Sequence, residues 1–408
     1  MKFEEYRLSN ELKRNLDEMG FKRPTDIQFK CIPPVQRGED VLAIAQTGTG
    51  KTGAFAIPVI DKIQHIKQKS RSNAVRGLIM VPTRELAVQI TEVFQSLGKN
   101  TKVKTISIYG GVEQEPQIQK LLNGVDIVVS TPGRMFDLVS QGYLKLDKIE
   151  VLILDEADQM LALGFYKDIT DLIRFLPKKR QTLFFSATID KNIKKLAYSL
   201  VRDAIRIHIS PKDPVSKNVN HRVVFVEMND KRFFLQRLIN EHPEEKFLVF
   251  VRTKVRAERV KAALERLEVD ADTIHGDKEQ DEREDSLRNF AEGKSKVLIA
   301  TDVSARGIDI PHVDYVINYD LPEQPENYVH RVGRTGRGRN KGEALAFCAK
   351  QEKPLLEAIE AYTTVPINRA VVSKSDYQET LEIESEFKAD WRSLMNQVQA
   401  PKKKKKKK

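Results

Sequence analysis

The stretch Ala45–Thr52, AQTGTGKT, follows the apolar run Val41–Ala45 and precedes a segment with a helical pattern. A strand, a glycine-bearing turn and a helix start in this order form a phosphate cradle. Backbone N–H groups of the turn point inward, and the helix N-terminus carries partial positive charge. The alternative is a turn of small residues that binds nothing. Gly-Lys-Thr directly after an apolar strand favours the phosphate site.

Each position in this stretch has an expected role. Glycine at positions 48 and 50 lets the backbone approach phosphate oxygens without an intervening Cβ atom. Lys51 is placed to contact the β- and γ-phosphates, and the Thr52 hydroxyl is placed to face a Mg²⁺ ion. The expected nucleotide-binding residues of the stretch are Ala45, Gln46, Thr47, Gly48, Thr49, Gly50, Lys51 and Thr52.

A second stretch, Val151–Asp158 or VLILDEAD, is acidic and completes the predicted site. Its four leading apolar residues indicate a strand buried on both faces, as in a parallel sheet. Asp155 then lies at the carboxyl end of that strand, where ligands of open α/β sheets bind. We expect Asp155 to hold the metal, partly through water, and Glu156 to orient and deprotonate the attacking water. Together the two stretches indicate a nucleoside triphosphatase.

Length and composition fit a globular protein of two or three domains, with 408 residues, 40% hydrophobic and 31% charged. Cys31 and Cys348 lack metal-like spacing, so we expect reduced thiols that pack as small apolar groups in a cytoplasmic protein. Neither a secretory signal nor an apolar run of membrane-spanning length is evident, so no membrane partner is expected.

Apolar strands alternate with helical patterns twice along the chain, which predicts right-handed βαβ units on parallel sheets. We predict a domain at residues 1–209, a Pro-containing linker at 210–220, a second domain at 221–370 and a tail at 371–408. Only the first domain has Gly-Lys-Thr after a strand. The predicted strands are Val41–Ala45, Gly77–Val81, Lys104–Ile108, Asp126–Ser130, Val151–Leu154, Thr182–Phe185, Arg222–Val226, Lys246–Val251, Ala271–Ile274, Lys296–Ala300, Asp314–Asn318 and Glu343–Phe347.

The ordered set of short motifs resembles that of the DEAD-box RNA helicases of superfamily 2, and the short N-terminus resembles their bacterial RhlE-type branch. The resemblance covers about residues 3–340 and explains Ala45, because this family has Ala at the start of its P-loop. It implies two tandem RecA-like α/β domains, ATP and Mg²⁺ in the cleft between them, and RNA as partner. The further motifs are Gly20–Gln28, Pro82–Leu86, Gly110-Gly111, Thr131–Arg134, Ser186–Thr188, His275–Asp277, Thr301-Asp302 and His330–Arg337.

The resemblance adds four residues to the ATP site. By likeness, Gln28 reads the adenine edge, for which an amide offers both a donor and an acceptor. Thr25 supports it, Phe3 packs on the base, and Asp309 reaches the ribose hydroxyls.

RNA contacts are implied in both domains. Taken singly, each first-domain segment is better explained by an ordinary capped turn, but their joint order favours phosphate contacts. His275 is expected to be structural. The implied RNA-binding residues are Pro82, Thr83, Arg84, Gly110, Gly111, Thr131 and Arg134 in the first domain, and Gly276, Gln280, Arg283 and Thr301 in the second.

Two coupling elements follow from the same likeness. The hydroxyls of Ser186 and Thr188 are expected to hydrogen-bond Asp158 and thereby link the ATP site to domain closure.

The stretch HRVGRTGR, residues 330–337, is the second coupling element. It is either a solvated basic turn or a carrier of arginine fingers. By likeness, Arg334 and Arg337 are the fingers that neutralise the γ-phosphate. Arg331 ties the second domain to first-domain carboxylates, with His330 beside it.

The expected function is RNA-dependent ATP hydrolysis that separates short duplexes or remodels RNA–protein complexes. ATP and single-stranded RNA would jointly close the two domains. Two alternatives stay open: an ATP-switched RNA clamp without useful unwinding, and a DNA-stimulated ATPase. No obligate protein partner and no particular RNA target can be inferred from the sequence.

The C-terminal run Lys402–Lys408 supplies seven of the eleven net positive charges, which leaves four for the rest of the chain. Such a run repels itself and is expected to be extended, either as a solubilising end or as a source of non-specific RNA affinity. Deleting residues 401–408 should weaken RNA binding most at low salt and leave kcat at saturating RNA unchanged. Full engagement of seven lysines steepens the log–log salt slope by up to roughly 5 units. An unchanged slope after the deletion would make the run a bystander.

Overall fold

The computed structural model describes residues 2–46, 48–69, 73–209, 218–305, 310, 313–336 and 341–381. Two compact units divide the chain, with the boundary after residue 214. Among the described residues, no helix combines the length and apolar character needed to cross a membrane.

The first unit is a seven-stranded sheet in the order β3-β4-β2-β5-β6-β1-β7, with every neighbouring pair parallel. The strands are β1 (Val41–Ala45), β2 (Gly77–Met80), β3 (Thr105–Ile108), β4 (Ile127–Ser130), β5 (Val151–Leu154), β6 (Gln181–Ser186) and β7 (Ile205–Ile209). The helices are α1 (Asn10–Glu18), α2 (Asp26–Arg37), α3 (Lys51–Lys69), α4 (Arg84–Gly98), α5 (Glu115–Leu122), α6 (Pro132–Ser140), α7 (Ala157–Ala162), α8 (Tyr166–Leu172) and α9 (Lys191–Leu200).

Each central strand of this sheet contributes side chains to two hydrophobic cores. Val41, Ala43 and Ala45 of β1 belong to one core, whereas Leu42 and Ile44 belong to the other. Because side chains alternate across a strand, a strand that is covered on both faces must be apolar at every position. The apolar runs in the sequence therefore mark the buried strands.

The second unit repeats the same strand order position for position, β10-β11-β9-β12-β13-β8-β14, again with parallel pairs only. The predicted α/β class with two mostly parallel sheets is confirmed. The strands are β8 (Val219–Phe225), β9 (Phe247–Val251), β10 (Asp272–Ile274), β11 (Val297–Thr301), β12 (Tyr315–Asn318), β13 (Gly342–Cys348) and β14 (Asn368–Arg369). The helices are α10 (Lys231–Glu241), α11 (Lys254–Glu265), α12 (Gln280–Glu292), α13 (Asp302–Ala305), α14 (Pro325–Val332) and α15 (Lys353–Thr363).

Two strands and two boundaries differ from the sequence expectation. The edge strands β7 and β14 were not predicted, because β7 has one buried residue, Ile207, and β14 has none. The strand β8 begins at Val219, inside the predicted linker 210–220. The structure is helical at residues 374–381, inside the predicted tail. Residues 210–217 of the linker and the tail from residue 382 lie outside the described residues.

The helical segment 374–381 packs on α10 of the second unit. The Tyr377 hydroxyl donates to Asp230 Oδ2 at 2.7 Å and accepts from the Glu227 N–H at 3.1 Å. Arg237 Nη1 donates to Thr380 Oγ1 at 2.8 Å. These contacts place the first part of the predicted tail on the second unit.

Two lysines at equivalent positions of the two units have different surroundings. Lys51 starts α3 after β1, and Lys231 starts α10 after β8, which occupies the same sheet position. The Lys231 side chain is fully buried, and its Nζ donates to Glu352 Oε2 and to the Tyr319 carbonyl, both at 2.6 Å. This ammonium is neutralised inside the second unit and is not available to a phosphate.

Replacing Glu352 with Gln should therefore destabilise the second unit. Loss of one partner leaves a buried charge insufficiently compensated, which costs about 3 kcal/mol of unfolding free energy. Urea unfolding of the full chain is the measurement. The matched control is Glu244→Gln, because Glu244 pairs with Lys296 at 2.8 Å but is 90% exposed; solvent screening should leave its stability unchanged. Equal effects in the two variants would contradict this account.

Candidate functional site

The glycine turn between β1 and α3 has the backbone that a phosphate cradle needs. Gly48 and Gly50 have φ angles of 79° and 90°, in the left-handed region that glycine adopts without steric cost. Thr49 Oγ1 donates to the Gln46 carbonyl at 2.8 Å and closes the turn. Ala45 is buried at the end of β1, and Thr47 lies outside the described residues.

Lys51 is buried at the start of α3, with 7% of its surface exposed. Its Nζ atom has no hydrogen-bond partner within the described part of the chain. A buried ammonium without acceptors is unfavourable, so the surroundings suit an anionic ligand such as a triphosphate. The half-buried Thr52 follows it on the first turn of α3.

Asp155 follows β5 and is buried close to Lys51. Burial raises the pKa of the Asp155 carboxyl, while the positive charge of Lys51 and a hydrogen bond from the Glu156 N–H at 2.9 Å oppose that rise. The acidic side chain therefore lies beside Lys51, the residue predicted to contact the phosphates, where a carboxylate can share a cation with a triphosphate.

Glu156 has a backbone conformation that is unusual for a residue with a side chain, with φ 50° and ψ 48°. A non-glycine residue in this left-handed region costs about 1–2 kcal/mol. Such strain concentrates at functional sites, where the surrounding structure enforces it. The residue directly precedes α7 and is buried, so the strained turn sets the direction in which its side chain leaves the backbone.

The amide of Gln28 is tied to the glycine turn. Its Oε1 accepts from the Thr25 N–H at 3.0 Å, and its Nε2 donates to the Gly50 carbonyl at 3.2 Å. Thr25 and Gln28 thus form the capping box that begins α2. One Nε2 hydrogen remains for another acceptor, so adenine reading by Gln28 stays a prediction.

Gly53 also belongs to this arrangement and was not singled out from the sequence. A Cβ atom there would lie 2.7 Å from Gln28 Nε2, which is too close. A signal was present, because glycine inside a helix costs about 1 kcal/mol relative to alanine and so requires a reason. The reason is the close approach of Gln28 to α3.

Phe3 is buried in an aromatic cluster. Its ring centroid lies 5.9 Å from those of both Tyr6 and Phe21. Phe21 in turn lies beside Gly53, 3.8 Å from the position that a Cβ atom would occupy. The cluster thus extends to the start of α3, and base packing by Phe3 stays a prediction.

Asp158 on α7 contacts the segment that follows β6. Its Oδ2 accepts from the Thr188 hydroxyl at 3.3 Å and from the Ala187 N–H at 3.2 Å. The Ser186 hydroxyl instead accepts from the Thr188 N–H at 3.4 Å. The expected hydroxyl contact is therefore found for Thr188, whereas Ser186 holds the turn.

The first-unit RNA candidates gather at one sheet edge, because β3, β4 and β2 are neighbours and each candidate segment follows one of them. Arg134 Nη2 donates to the Val112 carbonyl at 2.9 Å, and a Cβ atom at Gly111 would overlap the Arg84 guanidinium. Thr83 caps α4 by accepting from the Leu86 N–H at 3.3 Å.

The remaining first-unit RNA candidates flank these contacts. Pro82 precedes Thr83, Gly110 precedes Gly111, and Thr131 is the residue before α6. The structure brings these segments together, and their contact with RNA stays a prediction.

The second-unit RNA candidates lie at the carboxyl ends of the neighbouring strands β10 and β11 and at the start of α12. His275, before Gly276, has its Nε2 2.7 Å from Glu258 Oε1, which agrees with a structural histidine. Gln280 is buried and donates to Glu284 Oε1 at 2.9 Å, with Arg283 one turn along the helix. Thr301 ends β11, and its hydroxyl donates to Ser304 Oγ at 3.2 Å.

The expectation for Arg331 is wrong. This residue was expected to tie the second domain to carboxylates of the first, but its guanidinium is used within the second unit. It donates to Asp302 Oδ1 and Oδ2 at 2.6 and 2.8 Å, to Asn318 Oδ1 at 3.1 Å and to the Asp320 carbonyl at 2.7 Å. The side chain is 1% exposed, because Arg331 lies on the inward face of α14.

The structure describes some, but not all, of the other candidate residues of the second unit. His330 is half-buried on the last turn of α14. Arg334 is buried just after that helix. Arg337 and Asp309 lie outside the described residues.

Two family models match the chain: the DEAD/DEAH box helicase model over residues 25–196 and the helicase conserved C-terminal domain model over residues 230–339. The ATP-dependent RNA helicase CshA of Listeria monocytogenes is 42% identical over 362 residues, 89% of this chain and 69% of that protein. CshA of Bacillus subtilis is 38% identical over 367 residues, 90% of this chain and 73% of that protein.

Solved structures of the same family share the fold with its two RecA-like domains. S. cerevisiae Dbp5 bound to RNA and ADP BeF3 has a TM-score of 0.81 and 32% identity, and the match covers 94% of this chain and 99% of that chain. Mss116p bound to single-stranded RNA and AMP-PNP has a TM-score of 0.83 and 28% identity, covering 93% of this chain and 81% of that chain.

The contact between Gln28 and α3 yields a prediction. In Gly53→Ala the new methyl group must displace the Gln28 amide from the Gly50 carbonyl. Loss of this hydrogen bond should weaken ATP binding about tenfold, while thermal stability stays the same or rises because alanine favours the helix. The measurements are fluorescent nucleotide titration and thermal unfolding.

The matched control is Gly133→Ala. This glycine also lies in the first turn of a helix, and a Cβ atom there meets nothing within 4 Å. It should leave nucleotide affinity unchanged. Wild-type affinity in Gly53→Ala would show that the position of Gln28 does not matter for nucleotide binding.

Proposed function

This chain belongs to the DEAD-box family of ATP-dependent RNA helicases, and we propose that its first unit hydrolyses ATP at the glycine turn while both units hold RNA. The observation that carries the assignment of the ATP site is the buried Lys51 ammonium, which has no hydrogen-bond acceptor within the described part of the chain and lies near the buried Asp155. A triphosphate supplies the missing acceptors.

Within this site the residues divide the work of phosphate binding. The N–H groups of the glycine turn and the Lys51 ammonium bind the β- and γ-phosphates. Thr52 and Asp155 would hold Mg²⁺, partly through water, and the bound ion would neutralise phosphate charge. The donor set fits this ion, because Mg²⁺ keeps several waters and needs only one or two protein oxygens beside those of the phosphates.

Glu156 orients the attacking water and accepts its proton. The strained backbone at this residue supports a functional role, since such strain concentrates at functional sites. Gln28, Thr25 and Phe3 select the base, and Asp309 binds the ribose. Arg334 and Arg337 neutralise the charge that grows on the transferred phosphate.

RNA binds along the sheet edges that carry Arg84 and Arg134 in the first unit and Thr301 and Arg283 in the second. Contacts with phosphates position one strand without reading bases. Phosphate contacts from both units bend the bound strand, so that it no longer fits a regular duplex and short duplexes separate. Hydrolysis of ATP then releases the RNA. The pair Asp158 and Thr188 links the ATP site to this cycle.

Two finer assignments are part of the proposal. The cytoplasm is the expected location, which is supported by two buried free thiols, Cys31 and Cys348, whose pKa values burial raises to about 12 and about 11. The RhlE-type branch stays a prediction, since the relatives reported above carry the name CshA.

The decisive experiment compares ATP hydrolysis in the presence of single-stranded RNA and of single-stranded DNA with the same sequence. We expect stimulation by RNA and little by DNA. Displacement of a strand from a short RNA duplex, measured in parallel, separates a helicase from an ATP-switched clamp. Equal stimulation by DNA, or stimulation by RNA without strand displacement, would contradict the proposal.

Glu156→Gln should abolish turnover and preserve ATP binding, because the amide keeps the shape of the side chain and cannot accept the proton. RNA should stay bound longer, since the step that triggers release is blocked. Single-turnover hydrolysis and nucleotide titration are the measurements. Equal losses of nucleotide affinity and turnover would show that Glu156 acts in binding instead.

A further inference from the structure

The strand β7 ends the first-unit sheet on the side opposite to β3, and among the described residues no strand pairs with its outer edge. An unpaired edge presents N–H and C=O groups that a further strand can bind. Ile205 is 39% exposed, and Arg206 is exposed as well. The first-unit RNA candidates follow β2, β3 and β4, so this edge is separate from the surface proposed for RNA.

A cavity lies beside this edge, between β7 and the helix α9. Its volume is about 250 Å³, and its apolar lining comes from Leu42, Ile44 and Ile189. Sites for small molecules begin at roughly 300 Å³, so the cavity is sized for one large apolar side chain and not for a cofactor. Leu42 is paired in register with Arg206, which puts the cavity and Arg206 on the same face of the sheet.

Two exposed cations, Lys194 and Arg206, border the cavity. Both lie over the ring of Tyr198, with Lys194 Nζ 5.9 Å and Arg206 Cζ 5.0 Å from its centroid. Within the part of the chain that the structure describes, neither cation has a carboxylate partner. Both positive charges are therefore available to an anionic partner.

The surroundings of the cavity are also positive. The stretch 189–209 holds five basic and two acidic residues, and one of the acids, Asp190, is used to cap α9 by accepting from the Ile193 N–H at 2.8 Å. A positive surface favours a partner with negative charge. Protein carboxylates fit better than RNA, because phosphates would leave the apolar cavity empty. The Tyr198 ring, which could otherwise stack on a base, is already engaged by two cations.

We propose that the β7 groove, which comprises the cavity together with Lys194 and Arg206, is a docking surface for an extended acidic segment of a partner protein. The segment adds a strand to β7 through backbone hydrogen bonds and places one large apolar side chain in the cavity. Side chains alternate along a strand, so only every second residue faces α9. The residues two positions before and two positions after the apolar one are therefore acidic, and they meet the two cations.

The test compares two labelled peptides of the same composition and charge, by fluorescence anisotropy with the full chain. In Thr-Glu-Thr-Leu-Thr-Glu-Thr the glutamates share the face of the leucine, whereas in Thr-Thr-Glu-Leu-Glu-Thr-Thr they point to the other face. The first peptide should bind about tenfold more tightly. Its affinity should fall with added salt, and hydrogen exchange of the amides at residues 205–209 should slow when it is bound.

A charge reversal then locates the site. Lys194→Glu combined with Arg206→Glu should lower the affinity for the first peptide about tenfold and create affinity for the same peptide with lysines in place of the glutamates. The matched control is Lys102→Glu combined with Lys120→Glu, two exposed lysines near β3 at the opposite edge of the sheet. It changes the net charge equally and should leave peptide affinity within about twofold of the wild-type value, because distant exposed charges are screened.

Three results would overturn this docking site: equal affinities of the two peptides for the wild-type protein, equal peptide binding by the wild type and the charge-reversed variant, or equal losses in that variant and its control. RNA affinity is measured in parallel and should not differ between the wild type and the charge-reversed variant. A loss of RNA affinity without peptide binding would show that the groove belongs to the RNA path instead. If the charge-reversed variant does not fold, as judged by circular dichroism, the two peptides on the wild-type protein decide the matter. ATP hydrolysis does not enter this test, so its failure would leave the proposed function untouched.

Discussion

A buried ammonium must be neutralised, and the two units of this chain meet that requirement differently. Lys231 is neutralised by Glu352 and by the Tyr319 carbonyl, so the second unit is complete by itself. Lys51 has a counterpart position in the same fold, but its Nζ has no hydrogen-bond acceptor among the described residues. The asymmetry does not come from the strand order, since the strand orders of the two sheets agree position for position.

Backbone conformation maintains this asymmetry. The turn before Lys51 contains Gly48 and Gly50 in the left-handed region, which brings N–H groups toward a ligand. The connection before Lys231 reads VEMND over residues 226–230 and contains no glycine. The close approach of Gln28 to Gly50 and Gly53 is a further reason for glycine around the start of α3. Two sheets with the same strand order thus differ around these lysines through a few glycines and one acidic side chain, Glu352.

Much of the fold was predictable because its central strands are covered on both faces and must be apolar throughout. The strand bounds of β1 and β5 agree with the sequence patterns, and most others differ by one or two residues. The edge strand β7 was missed because its mostly exposed residues carry no apolar run. The site was predictable where a motif dictates local backbone, as at Gly50. Long-range partners were not, because a sequence does not tell which of many carboxylates, such as Asp302, an arginine will meet.

The arginines of the stretch HRVGRTGR illustrate how position within a helix assigns a role. Arg331 is still inside α14, whose inward face meets Phe250 and Asn318, so its charge is used for internal structure. Arg334 comes after the helix ends, at the first residue beyond Gly333, where the backbone is no longer committed to a helical direction. Two arginines three residues apart thus share a motif but not a task. The Arg331 guanidinium holds the end of α14 against Asn318 and Phe250. The backbone of Arg334 follows from that end, where its N–H donates to the Arg331 carbonyl. The spacing alone could not distinguish them, because a sequence does not tell which arginine of the stretch meets Asn318 and Phe250 inside the unit.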